Sequence, residues 1–187
     1  HDIPVTRSGG IAAVTSLSIF FIIYYLLYSK VLYEYIFISY TMFLVGFLDD
    51  LKINIKPFRR LIIMVFLLFI FIYALPIEIF NIDIPFLIPL MSNNIFSSIF
   101  VLLCFLFVIN GANLIDGFNG LLAINLIIIN IILTYINMSN GNIEFSILII
   151  SQIIILLSFL LFNFPSAKIF LGDSGAYLFG SLISLNT

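Results

Sequence analysis

Long, uninterrupted apolar runs constrain this chain most, because their length matches the hydrocarbon core of a bilayer. A helix needs about 20 mainly apolar residues to cross that core. The runs lie near residues 11–29, 31–48, 61–77, 95–110, 120–136 and 145–162, and a seventh starts near Ala176 and continues to Thr187. They lack the alternation of period two that marks the strands of a membrane barrel. We therefore predict an all-α, polytopic transmembrane helix bundle with about seven helices in this chain.

Composition supports a membrane protein and excludes several other classes. Hydrophobic residues make up 63% of the chain and charged residues 9%, whereas soluble domains contain about 25% charged residues. The formal net charge of −2 gives no basic surface for nucleic acid, so we expect no nucleic-acid partner. The single cysteine, Cys104, permits neither an intrachain disulfide nor a thiolate metal cluster. We expect residues 1–187 to form one integral-membrane domain within the lipid bilayer.

The segments between the runs form two sets that alternate along the chain. One set is polar and contains glycine, and it comprises residues 1–10, 49–60, 111–119 and 163–175. The other set, around residue 30 and at 78–94 and 137–144, consists of ordinary connectors. Because successive helices reverse direction, each set must lie on one side of the membrane. Six of the seven basic residues fall on the polar side, and the positive-inside bias places that side in the cytoplasm.

Two adjacent carboxylates end the second apolar run, in the sequence GFLDD. Asp49 and Asp50 fall in the last turn of a hydrophobic helix, where the helix dipole disfavours negative charge. The two acids also repel each other, so a compensating cation is expected. That cation is either Mg²⁺ or the nearby Lys52 and Lys56. From these residues alone, a solvated loop with the two lysines as partners is an equal alternative.

The third polar segment, residues 110–121, has the sequence NGANLIDGFNGL. Asn110, Asn113 and Asp116 recur every three residues, so they form one polar stripe at the end of a helix. The glycines beside them allow close approach of the backbone. This pattern suits a polar ligand such as a nucleobase or a ribose. A polar contact between helices followed by a turn is the alternative.

The last polar segment, NFPSAKIFLGDSG at residues 163–175, places a single acid between two glycines before a new helix. An acid at such a position commonly caps the helix through the backbone N–H groups. Asp173 can equally offer an oxygen ligand to a divalent cation. These residues alone leave both interpretations open.

Together the polar segments supply the groups that metal-assisted phosphoryl transfer requires. They are the acids Asp49, Asp50, Asp116 and Asp173 and the basic residues Lys52, Lys56, Arg59 and Arg60. Such a set at a membrane face fits a soluble donor that meets a lipid acceptor. A transporter is a second hypothesis, although transporters place polar residues near the membrane centre, where mainly Asn130 and Gln152 interrupt the runs. A different membrane phosphotransferase is a third, although the DG…AR…G…D…D spacing of the CDP-alcohol class is absent.

Four motifs in order, HDIPVTRSGG, GFLDD, NGANLIDGFNGL and FLGDSG, resemble those of the polyprenyl-phosphate N-acetylhexosamine-1-phosphate transferases. Phospho-N-acetylmuramoyl-pentapeptide transferase is a relative of that family. The resemblance implies transfer of a sugar 1-phosphate from a UDP-sugar, UDP-GlcNAc or a derivative, to undecaprenyl phosphate with release of UMP. It implies Mg²⁺ as cofactor, with Mn²⁺ as a substitute, and a homodimer. It also implies the bacterial plasma membrane, a cytoplasmic active site and the first step of a cell-envelope glycan such as O-antigen.

The resemblance also implies roles for individual residues. Asp173 and Asp50 would bind the metal, and Asp49 and Asp50 would handle the lipid phosphate, with Asp49 as a candidate base. Asp116 is counted with these three as catalytic. Candidate substrate-binding residues are Lys52 and Lys56 at the phosphates, Gly117, Phe118, Asn119, Asn163 and Phe170 with Asp116 around the uridine, and Asn113.

The chain departs from the family pattern in two respects. Asn119 stands where many members have a second Asp, which removes a charge from that position. The family's N-terminal helix and a His-containing loop lie outside these 187 residues. We therefore expect a core domain that lacks an N-terminal helix and the C-terminal helices.

Overall fold

Seven long helices and one short helix form the part of the chain that the structure describes. The computed structural model describes residues 5–51, 53, 55–74, 84–85 and 87–187. The helices are α1 (Gly9–Tyr28), α2 (Tyr33–Asp50), α3 (Pro57–Ala74), α4 (Ile88–Met91), α5 (Asn94–Ile115), α6 (Leu121–Ser139), α7 (Ile143–Asn163) and α8 (Gly172–Asn186). Each predicted apolar run coincides with one of the long helices. The all-α, polytopic fold is thus confirmed, and the last helix begins four residues before its predicted start.

Five of these helices, α1, α3, α5, α6 and α7, are long and apolar enough to cross a membrane. Large apolar side chains such as Phe107 and Leu161 are exposed on their outer surfaces, as expected for contact with lipid. Helix α2 is more polar because it carries Glu34 and two further acids in its last turn. The chain is therefore a multi-pass membrane protein.

The shorter helix α8 forms the centre of the bundle. Every residue from Ser174 to Ile183 is buried, and the helix contacts α1, α2, α5 and α6. Its largest contact is with α2, and that contact requires Gly46. A Cβ atom at Gly46 would lie 2.3 Å from the carbonyl oxygen of Asp173. The glycine therefore allows the end of α2 to approach the start of α8 closely.

Polar side chains link four helices in the half of the bundle away from the polar segments. The Asn186 amide nitrogen donates to Gln152 Oε1 at 2.9 Å and to Asn130 Oδ1 at 3.4 Å. The Tyr35 hydroxyl donates to Asn186 Oδ1 at 3.1 Å. Hydrogen bonds of this kind hold helices together where no water competes. The two polar interruptions of the apolar runs therefore join α6 and α7 to α8.

The polar segments meet at one end of the bundle, as their alternation along the chain predicts. The amide N–H groups of Gly9 and Gly10 donate to Phe170 and Leu171, each at 2.9 Å. The Gly120 N–H donates to the side chain of Asn163. Together with an ion pair from Arg60 to Asp173, these contacts join all four segments.

The close contact at Gly46 yields a prediction about stability. Gly46→Ala should lower the free energy of unfolding in detergent by about 2 kcal/mol, because the added methyl group overlaps the backbone of α8. Gly111→Ala is the matched control, since no atom lies within 4 Å of a Cβ at this position of α5. That control should be neutral or slightly stabilising. Equal losses in the two variants would contradict the proposed contact.

Candidate active site

Asp50 caps the N-terminus of α8 from the end of α2. The backbone N–H groups of Asp173 and Ser174 donate to its two carboxylate oxygens at 3.1 and 3.0 Å, and the Ser174 hydroxyl adds a bond of 2.6 Å. Gly172 has φ +77°, and a Cβ there would lie 2.6 Å from Asp50 Oδ2. The positive end of α8 thus offsets a charge that the dipole of α2 disfavours. The Asp50 side chain is 4% exposed.

Asp173 is directed away from its own helix and towards a second carboxylate. One nitrogen of Arg60, Nη1, lies 2.8 Å from Asp49 Oδ2 and 3.0 Å from Asp173 Oδ2. The guanidinium group also lies 5.3 Å from the centre of the Tyr177 ring. The N–H groups of Asp173 and Ser174 donate to Asp50, and the Asp173 carboxylate accepts from Arg60, so Asp50 and not Asp173 caps α8.

A second arginine borders the same carboxylates from the chain segment before α1. Arg7 Nη1 lies 3.5 Å from Asp50 Oδ1 and 4.0 Å from Asp173 Oδ1. The Arg7 side chain is 57% exposed, so it remains open to solvent on one side. It is therefore placed to contact an anion that approaches the acids from the membrane surface.

Asp116 follows α5 and increases the negative charge near this cluster. Burial, together with the charges of Asp173 and Asp50, raises its pKa to about 7. On the same stripe, the Asn113 amide donates to the Tyr177 hydroxyl at 3.4 Å, whereas the Asn110 amide donates to Leu106 in its own helix. The predicted stripe therefore places Asn113 and Asp116 beside the start of α8.

Two asparagines hold the loops around the cluster in place. Asn163 is buried; its oxygen accepts from the Gly120 N–H, and its nitrogen donates to the Ile169 carbonyl at 2.8 Å. The Asn119 amide donates to the Pro165 carbonyl at 3.1 Å. Both side chains therefore fix the loop after α5 against the loop before α8.

The remaining candidate residues differ in their surroundings. Phe118 is 77% exposed, and no atom lies within 4 Å of a Cβ at the neighbouring Gly117. Phe170 is partly buried, and its backbone pairs with Thr6 and Gly9. Lys56 is exposed and forms no ion pair with the four acids. Lys52 lies outside the described residues.

The charges of the cluster are unbalanced, because four carboxylates surround two guanidinium groups. Burial and the neighbouring Asp49 raise the pKa of Asp173 to about 6. Within the described ranges, no group of three or more His, Cys, Asp or Glu residues is arranged to hold a metal ion. Magnesium is usually held by only one or two carboxylates together with substrate phosphates and waters. The Asp49–Asp173 pair fits that pattern.

The sequence did not identify which cations balance the acids. The compensating cations proposed for Asp49 and Asp50 were Mg²⁺ or the lysines, and among the described residues the structure adds Arg60, Arg7 and the N-terminus of α8. The sequence analysis named Arg60 together with Arg59 and the lysines, and it assigned no acidic partner to Arg60. Adjacent arginines at the start of a helix give no sign of which one faces the bundle. Arg7 was counted only for the charge bias, although its place within the first motif was a usable signal.

The shared role of Arg60 predicts a difference between two adjacent arginines. Arg60→Gln should lower the free energy of unfolding by about 2 kcal/mol, because two partly buried carboxylates lose a charged hydrogen-bond donor. Arg59→Gln should change it by less than about 0.5 kcal/mol, since Arg59 is exposed. Denaturation of both variants in the same detergent provides the measurement. A loss of the same size in Arg59→Gln would contradict the assignment.

Three curated proteins are similar to most of this chain. Phospho-N-acetylmuramoyl-pentapeptide-transferase of Streptococcus thermophilus (strain CNRZ 1066) is 32% identical over 151 residues, covering 76% of this chain and 44% of that protein. The protein of the same name from Clostridium perfringens (strain 13 / Type A) is 31% identical, covering 75% of this chain and 47% of that protein. A protein of Sulfolobus acidocaldarius with the provisional name UDP-N-acetylglucosamine–dolichyl-phosphate N-acetylglucosaminephosphotransferase is 32% identical, covering 74% and 42%.

A family model matches the same part of the chain as these alignments. The chain spans less than half the length of each of these relatives. The model described as glycosyl transferase family 4 matches residues 32–187, which include α2 to α8 and all four acids of the cluster. The chain therefore belongs to glycosyl transferase family 4.

Proposed function

We propose that this chain is the core of an enzyme that transfers an N-acetylhexosamine 1-phosphate from a UDP-sugar to undecaprenyl phosphate. UDP-GlcNAc or a derivative is the proposed donor, and UMP is the second product. One observation carries the proposal: the segments bearing Asp49, Asp50, Asp116 and Asp173 converge with Arg7 and Arg60 at one end of a membrane bundle. At such an end of a membrane bundle, a soluble donor from the water can meet a lipid acceptor from the bilayer.

The proposed reaction forms one bond and breaks another at a single phosphorus atom. An oxygen of the lipid phosphate attacks the phosphorus that bears the sugar, and the bond from that phosphorus to the oxygen of UMP breaks. The electron pair leaves with UMP. Reactions of this type depend mainly on positioning and on stabilising charge around the transferred group.

The two arginines are suited to hold the phosphates for this step. Arg7 is exposed on one side, so it can meet the incoming phosphate of the lipid, and Arg60 fixes Asp49 and Asp173 beside it. Mg²⁺, or Mn²⁺ in its place, would be held by Asp49 and Asp173 and would neutralise charge on the phosphates. Asp50 is engaged in three hydrogen bonds at α8, so we assign it a positioning role in place of the metal-binding role first expected.

The segment from Asp116 to Asn119 is the proposed site for the nucleoside. Phe118 is largely exposed and offers an aromatic face for a base, and Asn113 and Asp116 supply hydrogen-bonding groups. Asn163 and Asn119 hold this segment against the loop before α8. Phe170 and the lysines Lys52 and Lys56 remain proposed contacts from the resemblance.

The cellular setting is also a proposal. The excess of basic residues beside the polar segments supports a cytoplasmic active site in a bacterial plasma membrane. The relatives' names support a step in cell-envelope glycan synthesis, and the resemblance to the transferases supports a homodimer. A transporter is not proposed, because Asn130 and Gln152 are fully buried and bond to Asn186 within the bundle.

The two groups of acids should differ in their kinetic effects. Asp116→Asn should raise the KM for the UDP-sugar about tenfold with little change in the KM for lipid phosphate, because it alters a hydrogen-bonding partner of the nucleoside. Asp173→Asn should lower kcat at least 100-fold, because it changes charge at the transferred phosphoryl group. Initial rates of transfer with each substrate varied in turn provide the measurement.

A distant acid provides the control for these variants. Glu144 pairs with Lys30 at the opposite end of the bundle, so Glu144→Gln should leave both KM values and kcat within about twofold. Near-normal kcat in Asp173→Asn would contradict its role at the phosphates. An unchanged KM for the UDP-sugar in Asp116→Asn would contradict the nucleoside site.

A further inference from the structure

Tyr177 is a buried residue of α8 that lies one helical turn after Asp173. Its side chain is 0% exposed, and the spacing of four residues places Tyr177 and Asp173 on the same face of the helix. Both side chains meet the guanidinium group of Arg60. Asp173 Oδ2 lies 3.0 Å from Arg60 Nη1, and the central carbon of the guanidinium lies 5.3 Å from the centre of the Tyr177 ring. A carboxylate and an aromatic ring therefore hold the same cation.

Arg60 reaches α8 through the length of its own side chain. The described part of α3 packs mainly against α2 and α5. An arginine side chain has many rotamers, so each contact that selects one of them helps to keep its charge in one place. The Arg60 side chain is 18% exposed, and the attraction between a cation and a ring is stronger where water is largely excluded.

The ring restrains Arg60 in a different way from the two carboxylates. The hydrogen bonds to Asp49 and Asp173 both come from Nη1, and a guanidinium group donates within its own plane. The Tyr177 ring instead attracts the whole cation. Asp49 and Asp173 are also the proposed metal ligands, whereas the ring is not. The ring contact therefore does not depend on what the two carboxylates bind.

The hydroxyl group of Tyr177 connects the same residue to the proposed nucleoside site. The Asn113 amide donates to this hydroxyl at 3.4 Å. Close packing of α5 on α8 allows the contact, because a Cβ atom at Gly180 would lie only 3.0 Å from Ile109 Cα and from Ala112 Cβ. Tyr177 thus contacts one group beside the phosphate-binding acids and one group proposed to bind the nucleoside.

A second buried aromatic residue of α8 provides a comparison. Phe179 is 1% exposed and lies two residues after Tyr177, so it is on a different face of the helix. Among the described residues, a guanidinium group lies over the ring of Tyr177 and not over that of Phe179. The two rings are equally buried but differ in what they contact.

We propose that Tyr177 is a positioning residue for the transfer reaction. Its ring fixes Arg60 beside the Asp49–Asp173 pair, and its hydroxyl orients Asn113 towards the nucleoside. This inference rests on the proposed function. Tyr177 touches no reacting atom; it favours the reaction because a charge that is already in place needs no reorganisation in the transition state. One side chain thus aligns the phosphate half and the nucleoside half of the site with each other.

Two substitutions at Tyr177 separate the ring from the hydroxyl group. Transfer from UDP-GlcNAc to undecaprenyl phosphate is measured, with rates expressed per UMP-binding site so that unfolded protein does not count. Tyr177→Phe keeps the ring, so kcat should stay within about threefold while the KM for UDP-GlcNAc rises about threefold to fivefold. Tyr177→Leu removes the ring, so kcat should fall by about tenfold or more.

Phe179→Leu is the matched control, because it shortens a buried ring of the same helix that holds no cation. Its kcat should stay within about twofold of the wild-type value. Equal falls in kcat for Tyr177→Leu and Phe179→Leu would show that packing alone is responsible. Equal falls for Tyr177→Leu and Tyr177→Phe would exclude the ring contact, and an unchanged KM in Tyr177→Phe would exclude the contact with Asn113. Each of these results would overturn the proposal.

A double-mutant cycle tests whether Tyr177 acts through Arg60. Arg60→Gln alone should lower kcat by about tenfold or more, because it removes the cation beside the acids. Adding Tyr177→Leu should lower kcat by less than about threefold further, since the group that the ring holds is already gone. A second full loss of about tenfold, as for independent residues, would contradict the proposed mode of action.

The same cycle can be measured without any activity, which separates this inference from the proposed function. In detergent, Tyr177→Leu should lower the midpoint of denaturation less in the Arg60→Gln protein than in the wild type, and equal shifts would overturn the ring contact. If the wild type transfers sugar phosphate and Tyr177→Leu retains its kcat, this inference is wrong and the proposed function stands. If the wild type transfers none although the midpoints are coupled, the proposed function is wrong and the ring contact is structural only.

Discussion

The cap that Asp50 places on α8 is the interaction on which the rest of this site depends. Helix α8 begins inside the bundle with Gly172 and Ser174 buried, so its first N–H groups need acceptors within the protein. The Asp50 carboxylate accepts from two of these groups and from the Ser174 hydroxyl. Because the cap comes from another helix, Asp173 in the first turn of α8 is free to turn towards Asp49 and Arg60.

The same interaction explains the charge pattern of the site. Carboxylates at the end of α2 are unfavourable for that helix, and the positive end of α8 offsets one of them. Arg60 is shared by the remaining pair, and Arg7 is held more loosely at 3.5 and 4.0 Å. A divalent cation would offset the remaining negative charge of the acids and the charge that substrate phosphates add.

Much of this fold could be predicted from the chain alone, because a bilayer imposes helix length and direction on every apolar run. The seven long helices and the shared end of the polar segments follow from that constraint. Asp49 and Asp50 were also correctly placed in the last turn of a helix. The family resemblance rested on the same segments, and the family model includes three of its four motifs.

Contacts between helices could not be predicted in this way. The sequence left open whether Asp173 caps α8, and it gave no reason to choose Asp50, which is 123 residues away. It identified Asn130 and Gln152 as polar interruptions but not their shared partner Asn186. Periodicity along one helix defines a face, whereas the residue opposite that face depends on how the helices pack. The partners of Arg60 and Asn163 became known only from that packing.

The identity of the nucleotide product tests the central claim most directly. Membranes containing the protein would be incubated with UDP-GlcNAc, undecaprenyl phosphate and Mg²⁺, and the nucleotides separated by chromatography. Transfer of a sugar phosphate at the Asp49–Asp173 pair requires UMP to form in equal amounts with a lipid diphosphosugar. Formation of UDP with a lipid monophosphosugar would show transfer of the sugar alone and would contradict the account.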